Sequence, residues 1–366
     1  MSRLNKARFQ LFPNEFKILF VLLIFLLLIG LVGQISASNG ECSVSVKKHL
    51  LRIISGFVIL FAISSCRLKM FYNYAYVFYV FALLALIIVE LLGIIRLGAQ
   101  RWINLGILTV QPSEPMKIAL ILALSRYYSL LTSSEISEVK NHYIPILLIL
   151  FPSLLVLKQP DLGSAFLIFC TGISIVFMSG FPKKIFATIV GMGIFSCPFS
   201  WFFLHDYQKN RILTFLDPDR DPCGTGYHVL QSKIAIGSGG FWGKGFLCST
   251  QSKLDFLPEK NTDFIFTTIT EEFGFIGGCL IILLFIFLIS YFFWIAVREK
   301  TVFAKLMCGG LGVLLFLHVF VNIAMVMGVL PVVGIPLPFL SYGGSSMLTF
   351  MVSCGLIMSA LADKWK

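Results

Sequence analysis

Residues 257–275 read LPEKNTDFIFTTITEEFGF, a polar, acid-rich segment running straight into an apolar stretch that continues to Arg298. Asp263 stands at the boundary, with Glu259, Glu271 and Glu272 close by, in a chain where charged residues make up only 13%. A continuous helix from Asp263 to Arg298 would run roughly 50 Å, whereas a bilayer's hydrocarbon is about 30 Å thick. The helix must protrude or break, and GFIGG (Gly274 to Gly278) is the expected breakpoint. Asp263, Thr267, Thr270 and Glu271 recur at helical spacing and share one face. A polar stripe entering a membrane is expected to line a wet cavity rather than face lipid.

The rest of the chain agrees. Of its 366 residues 57% are hydrophobic, and the mean hydropathy is +0.89. A soluble domain cannot bury that much apolar surface. The expected fold is an all-α polytopic membrane protein with ten spans, at about 16–36, 49–65, 71–92, 112–131, 143–158, 162–180, 185–204, 264–297, 302–328 and 342–362. The first, FKILFVLLIFLLLIGLVG from Phe16, is long for a signal peptide and is read as a retained helix. Lys and Arg set the orientation. Arg3, Lys6, Arg8, Arg67, Lys69, Lys183, Lys184, Arg298, Lys300 and Lys364 fall on one side, and the opposite short loops hold fewer, among them Lys47, Lys48 and Arg96. Both termini are therefore expected in the cytoplasm. The net charge of +11 reflects that bias and anionic headgroups, so it lends nothing to nucleic-acid binding.

No internal repeat is visible, and the chain reads as one membrane domain, 1–366, with a large outer loop at 205–262 between spans seven and eight. Six acids and seven bases nearly balance there, so the loop is no polybasic tether. A loop of that size is expected to have a function. Within it IGSGGFWGKG (236–245) fails the phosphate-loop pattern, having Ser238 and Gly245 at required positions. Its glycines are expected to permit close backbone packing. Nine cysteines show no metal spacing, and the five histidines are dispersed. Cys223 and Cys248 both fall in the outer loop, and sequence leaves open whether they pair.

Three constellations carry chemistry. Glu114 and Lys117 in QPSEPMK are three residues apart, so their side chains meet on a helix surface. They form either a salt bridge that makes a helix start tolerable or part of a site, and Lys117 with Arg101 of RWINLG would suit a phosphate group. Asp161 in KQPDLGSA fits a helix cap first. Asp263 admits a capping role too, but the stripe beneath it also suits a partly desolvated carboxylate acting as a general base. VLPVVGIPLPFLSYGGSS (329–346) breaks the backbone between the last two spans and is expected beside the same pocket.

Taken together and in order, RWINLG, QPSEPMK, QPDLGSA, GYHVLQSKIAIGSGGFWGKG, TQSKLDFLPEKNTDFIF, EEFG and PFLSYGGSS resemble the SEDS family of peptidoglycan polymerases, from about residue 90 onward. The wording of GYHVLQS and TQSKLDFLPE is more similar to the elongation branch than to the division branch. The resemblance implies ten transmembrane helices in the bacterial inner membrane and polymerisation of lipid II into glycan strands. It also implies a class B penicillin-binding protein as cross-linking partner, among other elongation-complex proteins. By position Asp263 matches the family's essential aspartate, Glu114 and Lys117 its buried charged pair, and Arg101 and Asp161 further motif residues. Asn261 stands where many members have histidine, and Cys248 replaces a usual glycine.

On this reading Asp263 deprotonates an acceptor hydroxyl, with Arg101, Lys117 or a divalent cation (Mg or Mn) steadying the departing pyrophosphate, and Glu114, Asp161, Thr267, Glu271 and Ser341 as further substrate-binding residues. The metal is a chemical expectation, since no closed ligand set is visible. A flippase for lipid-linked precursors also accounts for a polar membrane cavity, but not for a large outer loop leading into an acid. A pure scaffold is the third reading, and it gives no cavity acid a chemical role.

Overall fold

The computed structural model describes residues 14–41, 43–96, 99–104, 109–188, 191–192, 206–217, 220–221, 224–254, 256 and 259–363. Its long helices are α1 (Asn14–Ala37), α2 (Val44–Ser65), α3 (Leu68–Leu92), α4 (Ser113–Ser129), α5 (Tyr143–Lys158), α6 (Leu162–Met178), α7 (Asp206–Leu216), α8 (Thr225–Gly239), α9 (Ile265–Arg298), α10 (Val302–Val326) and α11 (Gly344–Asp363). Helices stand where nine of the expected spans were placed; the other, 185–204, falls mostly outside the described residues. Among the described residues six helical segments are long and apolar enough to cross a membrane, and α6 is a shorter apolar helix.

Apolar residues decide which helices sit inside. α4 is buried on nearly every side, as are most of α10 and α11, whereas only a minority of α3 is buried. A helix apolar all round belongs in a protein core or in lipid. Here α4, α6 and α10 pack together at the centre, α2 lies along α11, and α9 rests on α1 and α10. Asp161 caps α6 by accepting from Ser164 N at 3.2 Å, and Thr301 caps α10 through Ala304 N at 3.2 Å. Both satisfy first-turn amides that lipid would leave unpaired.

The all-α expectation needs one correction. Between α3 and α4 the chain forms a small antiparallel sheet of β1 (Ile94–Arg96), β2 (Ala99–Asn104) and β3 (Thr109–Val110), in that order. Ile94 pairs with Trp102, and Ile103 with Val110. The sheet carries Arg101, and the segment was too short and glycine-punctuated to be read as strands.

Helix α9 breaks where expected. Gly274 has φ 66° and ψ −161°, a conformation open to glycine and strained for other residues. The IGSGGFWGKG segment fills the gap. Its amides at Lys244 and Gly245 donate to the carbonyls of Glu271 and Glu272, at 3.1 and 3.0 Å. In return Phe275 N donates to Gly240 O at 2.9 Å and Ile276 N to Phe241 O at 3.4 Å. The glycine loop thus repairs the backbone hydrogen bonds that the break removes. Contact this close needs glycine, since a Cβ on Gly243 would lie 2.0 Å from the Glu272 carbonyl oxygen.

Candidate active site

Asp263 sits in the turn that leads into α9, half-buried. That turn is pinned from four sides. Asn322 Nδ2 donates to the Asp263 carbonyl at 2.9 Å and to Ile335 O at 2.7 Å. Gln34 Nε2 donates to Asn261 O at 2.8 Å and to Leu340 O at 3.1 Å. Tyr342 N donates to Asn261 O at 2.8 Å. The Ser341 hydroxyl donates to Thr262 O at 2.6 Å and accepts from Leu337 N at 2.8 Å. The proline-rich segment before α11 therefore lies beside Asp263, and it fixes the turn through the Ser341 hydroxyl and the Tyr342 amide.

The carboxyl of Asp263 is poised for proton transfer. Its pKa is raised to about 7, chiefly because the protein around it withholds water, and further by the negative charge of Glu259. The positive charge of Arg211, on α7, pulls it part of the way back. Carboxylates with such values near neutrality are matched to general-base work.

The polar stripe below Asp263 requires correction. Thr267 and Glu271 are buried and do not line a wet cavity. Thr267 Oγ1 meets Ser232 Oγ of α8 at 2.7 Å. Glu271 Oε1 accepts from Lys244 Nζ at 2.7 Å, from Thr250 N at 2.8 Å and from Thr250 Oγ1 at 2.9 Å. Ser252 Oγ meets Thr268 Oγ1 at 2.8 Å. The stripe is the seam by which residues 225–254 are fastened onto α9. Sequence periodicity found the polar face and could not say what would cover it. Ser341 is corrected in the same way: it is buried, and its hydroxyl is spent on two backbone groups.

Glu114 and Lys117 meet as their spacing predicts, Lys117 Nζ lying 2.7 Å from Glu114 Oε1. Both are buried, Lys117 being 1% exposed, so this ammonium faces protein rather than solvent. A third partner completes the group: His318 Nε2, 2.9 Å from Lys117 Nζ. His318 Nδ1 lies 3.0 Å from Leu314 O, which can only accept, so Nδ1 carries the proton and Nε2 accepts from the lysine.

Arg101 is likewise engaged. Its Nε donates to Gln159 O at 3.2 Å, its guanidinium also bonds Pro160 O, and Nη1 lies 3.9 Å from Asp161 Oδ1. Asp161 accepts from Gln111 Nε2 at 2.9 Å besides capping α6. Arg101, Gln111 and Asp161 together clamp the α5–α6 turn against the sheet. Sequence reading missed Gln34, His318 and Asn322. The signal was available for two of them: His318 and Asn322 are four apart, hence on one face, in a helix that is otherwise apolar after Lys305.

Similarity to known proteins adds the lineage. The family model for FtsW, RodA and SpoVE, described as "Cell cycle protein", matches residues 15–365. This chain belongs to the SEDS family. It is 42% identical to the peptidoglycan glycosyltransferase MrdB of Escherichia coli (strain K12) over 360 residues, covering 97% of this chain and 95% of that one. Identity to MrdB of Helicobacter pylori (strain ATCC 700392 / 26695) is 36% over 361 residues, 98% of this chain and 91% of that one. Among solved structures, a chain of a peptidoglycan synthase complex, described as coordinating polymerization and crosslinking, superposes with a TM-score of 0.82 at 31% identity, covering 95% of this chain and 98% of that one. The rod shape determining protein RodA of Thermus thermophilus gives 0.72 at 26% identity, covering 95% and 97%. The segments QPSEPMK, IGSGGFWGKG and KNTDFIF supply, respectively, the buried Glu114–Lys117 pair, the spliced glycine loop and the turn at Asp263.

Proposed function

We infer that this chain is a membrane peptidoglycan glycosyltransferase of the elongation type, polymerising lipid II into glycan strands. The observation that carries the mechanism is Asp263: a half-buried carboxyl with a pKa near 7, held by the Ser341, Asn322, Gln34 and Tyr342 contacts. Asp263 takes the proton of the acceptor sugar's 4-hydroxyl as that oxygen attacks the donor's anomeric carbon. The bond from that carbon to the pyrophosphate breaks, lipid pyrophosphate leaves with the electron pair, and the configuration inverts. Among the described residues no three His, Cys, Asp or Glu side chains stand together to hold a metal. A divalent cation, Mg or Mn, would supply charge neutralisation to the departing pyrophosphate, and no step of the mechanism depends on it.

We place the chain in the bacterial inner membrane with ten crossings, one domain over 1–366, both termini cytoplasmic and residues 205–262 outside. A class B penicillin-binding protein is the proposed cross-linking partner, supported by the likeness to a chain of a synthase complex that couples polymerization and crosslinking. The test is direct. Purified protein supplied with lipid II and no other polymerase should make glycan strands, and a preparation that only moves lipid II across vesicles would replace this reading with the flippase. Orientation is checked through Cys248, which is exposed: left as the sole cysteine, it should react with an impermeant thiol reagent before lysis.

A further inference from the structure

Exposed aromatic rings gather around the break in α9. Trp242, in the glycine loop, is 78% exposed, and Phe275, the first residue after the break, is 63% exposed. Phe241, also exposed, joins them: its ring stacks on Phe275 with centroids 5.8 Å apart and meets Trp242 edge-on at 5.4 Å. The only charged side chain in residues 236–249, Lys244, is bound to Glu271 Oε1 at 2.7 Å. A contiguous apolar patch of this kind marks a surface made to be covered.

The depth of the patch follows from α9. Beyond Gly274 the helix runs unbroken from Phe275 to Arg298. Ile276, Leu280, Leu283, Phe287 and Trp294 recur at helical spacing, so they share one face, and all are exposed. In a membrane span such a face is solvated by lipid. Its far end has the composition of a membrane–water boundary: Trp294 stacks on Tyr291 at 5.5 Å, and Arg298 lies over the Trp294 ring at 3.8 Å. From Trp294 back to Phe275 is nineteen residues, or about 29 Å of helix. The hydrocarbon of a bilayer is about 30 Å thick. The rings of Phe241, Trp242 and Phe275 therefore stand one bilayer thickness away, at the opposite boundary. Backbone at that level needs its polar groups paired. Four bonds between the loop and α9, from the amides of Lys244, Gly245, Phe275 and Ile276, meet that need.

We propose that Phe241 and Trp242 seat the glycine loop in the bilayer, in the boundary between headgroups and acyl chains at the end of α9 opposite Arg298. This rests on α9 being a membrane span and is independent of the chemistry at Asp263. Lipid is the occupant because the patch continues directly into the exposed face of α9 and lies at the level that amphipathic aromatic rings favour. The loop is bonded to the carbonyls of Glu271 and Glu272, in the helical segment that follows Asp263. An anchor here sets the height of that segment against the headgroups.

The test reads tryptophan emission from the full chain in nanodiscs holding one copy each. Trp102→Phe, Trp201→Phe, Trp294→Phe and Trp365→Phe together leave Trp242 as the sole tryptophan. Phosphatidylcholine brominated high on its acyl chains should quench that ring at least about twofold more than lipid brominated near the chain ends, as a ring lying about 5–10 Å into the boundary requires. Iodide in the water should quench it weakly. If the combined variant does not fold, the same quantity is the emission of wild type minus that of Trp242→Phe, which cancels the other four tryptophans. The proposal is overturned if iodide quenches Trp242 and the brominated lipids do not, which leaves the patch in water for a soluble domain to cover. It is also overturned if neither quenches, which puts protein over the rings, or if the deep bromines quench most, which puts the loop in the hydrocarbon core.

Discussion

The Ser341 hydroxyl donates to the carbonyl of Thr262 at 2.6 Å, one residue before Asp263. This bond ties the proline-rich segment to the turn that presents the carboxyl. Ser341→Ala would leave the Thr262 carbonyl and the Leu337 amide without their partner in a buried place. A turn displaced by about 1 Å loses on the order of a hundredfold in rate. Polymerisation kinetics should therefore show kcat reduced by about tenfold to a hundredfold, with KM for lipid II changed far less. A variant with normal kcat would remove the positioning role.

Asp263→Asn keeps the size of the side chain and removes the base. Asn322 bonds the backbone carbonyl at this position, so that contact survives the change. The protein should accumulate normally, and polymerisation should fall about a hundredfold or more. Asp161→Asn is the matched control, since asparagine also caps a helix and the residue holds Gln111 rather than substrate. Comparable losses in the two variants, at equal folded protein, would defeat the base assignment.

The raised pKa of Asp263 gives the reaction a pH profile. The base form is needed, so kcat/KM should rise with pH and level off above about 7. Glu259 pushes the pKa up and Arg211 pulls it down, so Glu259→Gln should move the rising limb to lower pH and Arg211→Gln to higher pH. Stability has the opposite sense. The folded pKa lies above the unfolded value, the native state binds the extra proton between them, and stability is lost as pH rises through that window. Asp263→Asn should therefore raise Tm at pH 8 and do so much less at pH 4. Thermal melts in detergent at the two pH values check this.

Lys117, Glu114 and His318 form one buried group. Lys117→Met alone leaves the Glu114 carboxylate buried without its ion partner, a change that costs about 3–5 kcal/mol. Adding Glu114→Gln removes that charge, and neutral replacements of a whole buried pair are often tolerated. The single variant should lose much of its folded yield and the double variant should recover it, as measured by size-exclusion profile and Tm. A double variant as unstable as the single one would show that the charges themselves are required by the fold.

Gly243 is where the spliced loop meets α9 most closely, with φ +84° and no room for a Cβ. Gly243→Ala should destabilise the protein severely, because the nearest atoms are backbone and cannot move aside. Gly237, in α8, has nothing within 4 Å of its side-chain position. There alanine should be neutral or stabilising by up to about 1 kcal/mol, the helix-propensity gain. Protease sensitivity of the two variants separates these outcomes.

Sequence by itself determined the membrane class, the positions of nine helices, the break at Gly274, the cap at Asp161 and the meeting of Glu114 with Lys117. These are local properties: apolar run length, a glycine cluster in an overlong helix, and spacings of three and four residues. It also singled out Asp263. What it did not determine is which polar groups would be consumed by other parts of the chain. Thr267, Glu271, Ser341 and Arg101 all read as substrate contacts, and each is spent on a partner between 27 and 79 residues away. Periodicity gives the face on which a side chain lies, but only the packing of α8, the glycine loop and the proline-rich segment decides whether that face meets water or protein. The pKa of Asp263 follows the same rule, since burial by the folded protein, with Glu259 and the distant Arg211 acting on it, sets its value.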